Sequence, residues 1–285
     1  MSSPAPKPKP SPSPKTPSGP SPSAAKSGLQ STRSQAISRG VRQAAQKIII
    51  YGPGGVGKTK LASLTEEIGV QPLFIDIEEG SNFLDVPRID PTPETFEELL
   101  AAIRDYGMAS DCHAIVIDSL TKAEELAIQY TLRTVPHEKG HFVESVEAYG
   151  FGKGYTHVFE SFLKLLQALD AAARKGKHII GICHDCTANV PNPAGEDWIR
   201  WEPRLQSPPS GKGSIRHRVK EWCDHLLFVG FDTFVSEGGK ASGSGTRTIY
   251  STELPTHWAK SRSLTEPVVY EDGVPTIWNK IFGKE

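Results

Sequence analysis

From residue 47 onward, short apolar runs alternate with longer stretches in which apolar positions recur at helical spacing. Ile48–Tyr51 is a β-rich run that ends in glycines, and Lys58–Glu67 reads as a helix. Pro72–Ile77 predicts a strand, Glu94–Tyr106 a helix, and Ala114–Asp118 a strand bounded by polar residues. Phe151–Lys175 predicts a long amphipathic helix, with Phe159, Phe162, Leu163, Leu166 and Leu169 on its apolar face. His178–Cys183 is a further strand, and Leu226–Phe231, Thr246–Ser251 and Thr256–Lys260 look like strands of a mixed or antiparallel edge. Short apolar strands separated by helices must bury both faces of the sheet they form. The pattern therefore predicts an α/β fold, a mostly parallel sheet flanked by helices.

The first 46 residues follow no such pattern. Residues 1–28 alternate Pro with Ser or Lys, and nine prolines fall in the first 22 positions. Pro removes backbone donors, and Ser and Lys supply no apolar surface to offset the entropy of ordering, so this segment reads as a disordered tail. A short helix is expected around Ser34–Gln46. The organisation is thus a Pro/Ser/Lys-rich tail and linker over 1–46 and one domain over 47–285. Residues 1–46 carry seven basic and no acidic residues, which turns a formal net charge of −1 into a basic tail on a mildly acidic body. The tail reads as a solubilising linker or as a weakly nucleic-acid-attracting arm. No run reaches the roughly 18 apolar residues of a membrane span. The absence of an apolar leader and the four cysteines point to a reduced, cytoplasmic protein without a disulfide scaffold.

Candidate chemistry concentrates after the first strand. Gly52, Pro53, Gly54, Gly55, Val56, Gly57, Lys58 and Thr59 fit the pattern G-x-x-x-x-G-K-[ST], between a strand and a helix. Glycines let the backbone curl with its N–H groups inward, and those donors with the following helix start form an anion cradle. The expected ligand is ATP with Mg²⁺. Lys58 would reach the β and γ phosphates, and Thr59 would hold the metal. Asp118 closes a second apolar strand, where a carboxylate can orient Mg²⁺. Ser119 follows it, so the water-activating acid must lie elsewhere. Glu78, at the end of Leu73-Phe-Ile-Asp-Ile-Glu78-Glu79, is the first candidate and Glu79 the alternative.

This arrangement resembles the RecA-type recombinase ATPases. In that family the catalytic glutamate ends the strand after the phosphate loop, as Phe74-Ile75-Asp76-Ile77-Glu78 does here, and Ser follows the metal-orienting Asp. More narrowly, the chain is similar to phage-encoded RecA-like ATPases, including the Sak-type single-strand annealing proteins. That resemblance rests on Tyr149-Gly-Phe-Gly-Lys-Gly-Tyr155, Ile180-Gly-Ile-Cys-His184, Asp197-Trp-Ile-Arg-Trp-Glu-Pro-Arg-Leu205, Glu221-Trp222-Cys-Asp224 and Trp258-Ala-Lys260-Ser-Arg262, spread over roughly residues 47–262. It implies a RecA-like P-loop NTPase with DNA-stimulated ATP hydrolysis in phage recombination or annealing, and a homo-oligomer, filament or ring. His184 would sense the γ-phosphate where the family usually has Gln, which brings pH dependence. Lys260 and Arg262 would reach a neighbouring subunit's γ-phosphate.

Residues 186–220 show little periodicity and carry Arg200, Arg204, Lys212, Arg216 and Arg218 among Trp198, Trp201 and prolines. In the resembled family this region contacts single-stranded DNA. Cations would track phosphates while aromatics stack on bases. A mobile flap with packed tryptophans is the alternative. Cys183, Cys186, Cys223 and His225 also suggest a zinc set, against which Cys183 reads as a buried strand-end thiol. A different function class fits the same loop, a nucleotide-dependent adaptor or switch that recruits a single-strand-binding or replication protein. Its docking elements would be the tail and Ile277–Phe282. A ring-forming DNA motor is a third.

Overall fold

The computed structural model describes residues 1, 37, 39–40, 44–235 and 241–283, with the backbone alone for 233–235 and 241–244. The proline-rich tail and most of the helix expected around Ser34–Gln46 lie outside the described residues. Along the chain run β1 (Lys47–Tyr51), α1 (Lys58–Ser63), β2 (Pro72–Asp76), α2 (Phe96–Ala101), β3 (Ala114–Asp118), α3 (Leu120–Thr134), α4 (Lys153–Arg174) and β4 (His178–Cys183). There follow β5 (Asp185–Val190), β6 (Trp198–Pro203), α5 (Ile215–Trp222), β7 (His225–Val235), β8 (Ala241–Tyr250), β9 (Val268–Val269) and α6 (Thr276–Phe282).

Seven strands form one sheet in the order β2-β3-β4-β1-β7-β8-β9. The first five are mutually parallel, and β8 and β9 add an antiparallel edge. This is the expected fold class. Side chains alternate across the sheet, so each strand feeds two cores. Ile48 and Ile50 join Leu61 of α1 and Trp278 of α6 on one face. Ile49 and Tyr51 join α2, α3, α4 and α5 on the other. Burial on both faces explains why β1 reads as an uninterrupted apolar run.

Several expectations change. The helix after the glycine loop ends at Ser63, and a 3₁₀ turn over Glu66–Ile68 carries the chain to a left-handed Gly69. The second helix ends its α-helical ladder at Ala101 and continues through Gly107 as the wider π-helix. α3 was not expected. Its cap is Ser119, whose hydroxyl accepts from the Lys122 N–H, and it buries Leu120, Ala123, Leu126 and Ala127 along one stripe. On α4 the large buried side chains are Val158, Phe162, Leu165, Leu166 and Leu169, while Phe159 and Leu163 pack at the margin. Thr256–Lys260 is not a strand but makes isolated bridges, Lys260 to Leu226 of β7 and His257 to Trp201 of β6. The 186–220 stretch holds the β5–β6 hairpin and α5 instead of a structureless loop.

The C-terminal segment considered as a docking element packs against its own domain. Ile277 and Trp278 are buried, and the Trp278 indole donates to the Leu61 carbonyl at 2.7 Å. Among the described residues no helix is long and apolar enough to cross a membrane. Because Trp278 both fills the core behind α1 and closes a hydrogen bond, Trp278→Ala should lower unfolding free energy by about 3–5 kcal/mol in denaturant titration. A loss below about 1 kcal/mol would show that α6 is not integral to the fold.

Candidate functional site

The loop between β1 and α1 owes its path to two glycines. A Cβ on Gly52 would lie 2.1 Å from the Val229 carbonyl oxygen, so no side chain can pass over β7 here. Gly57 adopts φ 98°, a left-handed turn that starts α1. Val56 is buried and anchors the loop from below. The Lys58 ammonium folds back onto the loop, donating to the Gly52 carbonyl at 2.7 Å and the Pro53 carbonyl at 2.9 Å. Burial lowers its pKa, and the neighbouring Asp118 opposes that shift.

β3 delivers Asp118 to this loop. The Thr59 hydroxyl donates to Asp118 Oδ2 at 2.6 Å. Burial, more than the nearby Asp76 and Glu78, pushes the Asp118 carboxyl up to about 6, while the Thr59 hydrogen bond works against it. Two hard oxygen donors this close, one of them a carboxylate, suit a small divalent cation such as Mg²⁺.

β2 supplies the third group, through a residue the sequence reading left without a role. Asp76 pairs in register with Asp118 and is buried. Its carboxylate accepts from the backbone N–H groups of Glu78 (3.3 Å), Gly80 (3.1 Å) and Ser81 (2.6 Å). Asp76 thus folds the turn that presents Glu78, a geometry that an Asp followed by a glycine turn could have signalled. The Glu78 carboxylate accepts from the Ser119 hydroxyl and lies 2.9 Å from His184 Nε2. Glu79 takes φ 57° and is exposed. Lys58, Thr59, Glu78, Asp118 and His184 therefore meet at the C-terminal edge of the parallel strands, where such sheets bind ligands.

The other candidates lie elsewhere. The Lys260 ammonium caps α5, donating to the carbonyls of Lys220 (3.0 Å), Glu221 (3.3 Å) and Cys223 (2.8 Å). Arg262 pairs with Asp224 at 2.7 Å, and Asp224 accepts from the Lys47 N–H at the start of β1. Both cations thus sit at the sheet edge opposite the loop of their own chain. Arg200 and Arg216 converge on the buried Glu202, each at 2.7 Å, with side chains 15% and 14% exposed. Their charge is neutralised internally. Arg204, Lys212 and Arg218 are exposed. Cys183 and Cys223 are buried thiols, Cys223 pushed up to about 12 by burial. Among the described residues no three His, Cys, Asp or Glu side chains gather as a metal set.

A family model described as "AAA domain" matches residues 44–263. No curated protein matches the chain. Among solved structures it is similar to the KaiC-like protein PH0186 of the hyperthermophilic archaeon Pyrococcus horikoshii OT3, at 14% identity and a TM-score of 0.42, over 80% of this chain and 86% of that one.

Behind His184, the strand end is stitched to α3. The His184 N–H donates to Thr121 Oγ1, the Arg204 N–H to the His184 carbonyl, and the Gln206 N–H to Glu124 Oε1 at 2.7 Å. Burial pushes the Glu124 carboxyl up to about 7. A carboxyl whose folded pKa is raised favours the fold while protonated. That contribution is fully present below its unfolded value of about 4.3 and is lost as pH rises through about 7. Glu124→Gln keeps the acceptor and stays neutral. Its melting temperature should vary less than the parent's between pH 5 and 8, and exceed it at pH 8. Equal pH slopes in calorimetry would contradict this burial.

Proposed function

The chain belongs to the AAA domain family, and from its site we propose that it binds ATP with Mg²⁺, hydrolyses it, and acts with single-stranded DNA in phage recombination or annealing. The observation that carries the hydrolytic reading is the meeting of a glycine-loop lysine, a Thr–Asp pair and a positioned glutamate at one strand edge. Lys58 exchanges the loop carbonyls it now touches for phosphate oxygens. Thr59 and Asp118 hold the metal, which when bound neutralises charge on the phosphates. Glu78 takes a proton from the attacking water. His184 and Ser119 hold Glu78 in place. A γ-phosphate can draw the His184 hydrogen bond to itself and leave the carboxylate to the water.

The remaining readings follow from what each side chain has left to offer. Lys260 and Arg262 lie too far around the sheet to serve their own loop, and to act on a neighbouring copy in a filament or ring they would exchange their carbonyl and Asp224 partners for its phosphate. That placement would couple hydrolysis to assembly. For DNA, the exposed Arg204, Lys212 and Arg218 supply phosphate contacts, and Trp201, 41% exposed on β6, offers a stacking surface. Ile277 and Trp278 are built into the core, which weakens the C-terminal segment as a docking element of the adaptor alternative.

Glu78→Gln should cut steady-state ATP turnover by about 100-fold or more while leaving ATP binding near the parent's. An unchanged rate would pass the role to Glu79. Single-stranded DNA should stimulate turnover at low salt. Replacing Arg204, Lys212 and Arg218 together by Ala should flatten the slope of log affinity against log salt by about 2. Absence of DNA binding at low salt would overturn the DNA half and leave the ATPase half intact.

A further inference from the structure

The phosphate loop is held from behind by the antiparallel edge of the sheet. Arg247 on β8 donates from Nη1 to the Val56 carbonyl at 3.0 Å. Its Nη2 lies 2.8 Å from Asp272 Oδ2, and the guanidinium sits 4.2 Å from the centroid of the Tyr270 ring. Tyr270 is buried just past β9, and its hydroxyl donates to the Gly57 carbonyl at 3.0 Å. The two residues are themselves tied, since the Tyr270 N–H donates to the Arg247 carbonyl at 2.8 Å. Burial keeps the Tyr270 phenol protonated, pushed up to about 12, so the hydroxyl remains a donor.

Peptide planarity converts these contacts into control of two others. In a trans peptide the carbonyl and the following N–H point in opposite directions. Fixing the Val56 carbonyl toward Arg247 turns the Gly57 N–H away from β8. The Gly57 carbonyl accepts from the Leu61 N–H of α1 at 2.8 Å as well as from Tyr270, and the two together do the same for the Lys58 N–H. Gly57 makes the arrangement sterically feasible. A Cβ there would lie 2.9 Å from both Arg247 Nη1 and the Tyr270 hydroxyl. The absence of a side chain therefore serves this contact as well as the left-handed turn.

We propose that Arg247 and Tyr270 are positioning residues of the phosphate site, aiming the N–H groups of Gly57 and Lys58 at bound phosphate through the Val56 and Gly57 carbonyls. The antiparallel edge of the sheet thereby sets the loop's affinity for a polyphosphate. This inference rests on the nucleotide reading above. Because the brace acts on the phosphate cradle, inorganic tripolyphosphate should feel its loss as much as ATP does.

The test uses the full chain, with binding of Mg-ATP and of inorganic tripolyphosphate measured by calorimetry. Tyr270→Phe and Arg247→Met should each weaken both ligands by about tenfold, the cost of misaligning hydrogen bonds to a charged group. Arg247→Lys should recover part of the loss. Nucleotide-free Tyr270→Phe should melt within about 2 °C of the parent, since only one oxygen is removed, which separates positioning from a general loss of fold. If Arg247→Met fails to fold, Tyr270→Phe decides alone. Affinities within twofold of the parent, or a loss for ATP without one for tripolyphosphate, would overturn the brace and leave the nucleotide reading standing. Failure of the unsubstituted chain to bind either ligand would overturn that reading and the brace with it.

Discussion

The register of the parallel strands is the constraint from which the site follows. β4 lies between β1 and β3, with Tyr51 level with Cys183 and Asp118 level with Ile182. That offset brings the loop after β1 within a hydrogen bond of the end of β3, and Thr59 meets Asp118 without any long connection. β2 pairs on the far side of β3, so its end contributes Glu78 to the same edge. A slip of one residue in either pairing would move Asp118 to the opposite face of the sheet and take the Thr59 contact with it. Packing pins the register, because both faces of every central strand carry buried apolar side chains.

Within that frame the site sets two buried carboxylates, Asp76 and Asp118, beside the exposed Glu78. Asp76, Glu78 and Asp118 converge beside the Lys58 ammonium. Each is held differently. Asp76 is satisfied by three backbone N–H groups, which fix the turn as they solvate the carboxylate. Glu78 is satisfied by a hydroxyl and an imidazole, partners that can be exchanged at little cost. Asp118 has one hydroxyl partner and the raised pKa. This gradation sorts the acids by task. The most fully bonded carboxylate is scaffold, the least fully bonded suits a metal, and the one with exchangeable partners suits proton transfer.

How much of this was legible depended on how local each interaction is. The phosphate loop could be read because its glycines, Lys58 and Thr59 are contiguous and each is demanded by backbone geometry. Glu78 and Asp118 could be read because a strand that ends in an acid is a local pattern. Asp76 stood inside a quoted motif, yet its role depends on three N–H groups folding back, which the run of apolar residues around it concealed. α3 was missed because its apolar stripe is thin, made partly of alanines, and interleaved with Lys122, Glu124 and Glu125. The fates of Arg200 and Arg216 were out of reach, since Glu202 approaches Arg216 only after β6 and α5 have packed.

Those two arginines show why counting cations misjudges a surface. In the sequence, 186–220 is a basic stretch around two tryptophans. In the fold, Glu202 is almost fully buried and draws two guanidiniums to itself, one of which also reaches Glu253 at 3.1 Å. A buried carboxylate with one partner removed costs several kcal/mol, so these arginines are held in place by stability. Arg200 also lies over the Trp258 ring, with Lys220 on the same ring at 4.1 Å. Within 186–220 the cations left outside that pairing are Arg204, Lys212 and, loosely tethered to Glu221 at 3.9 Å, Arg218. Arg204 is joined through its backbone to His184, whose ring touches Glu78. A polyanion bound at Arg204 and a phosphate bound beside Glu78 would therefore pull on the two sides of one backbone hydrogen bond.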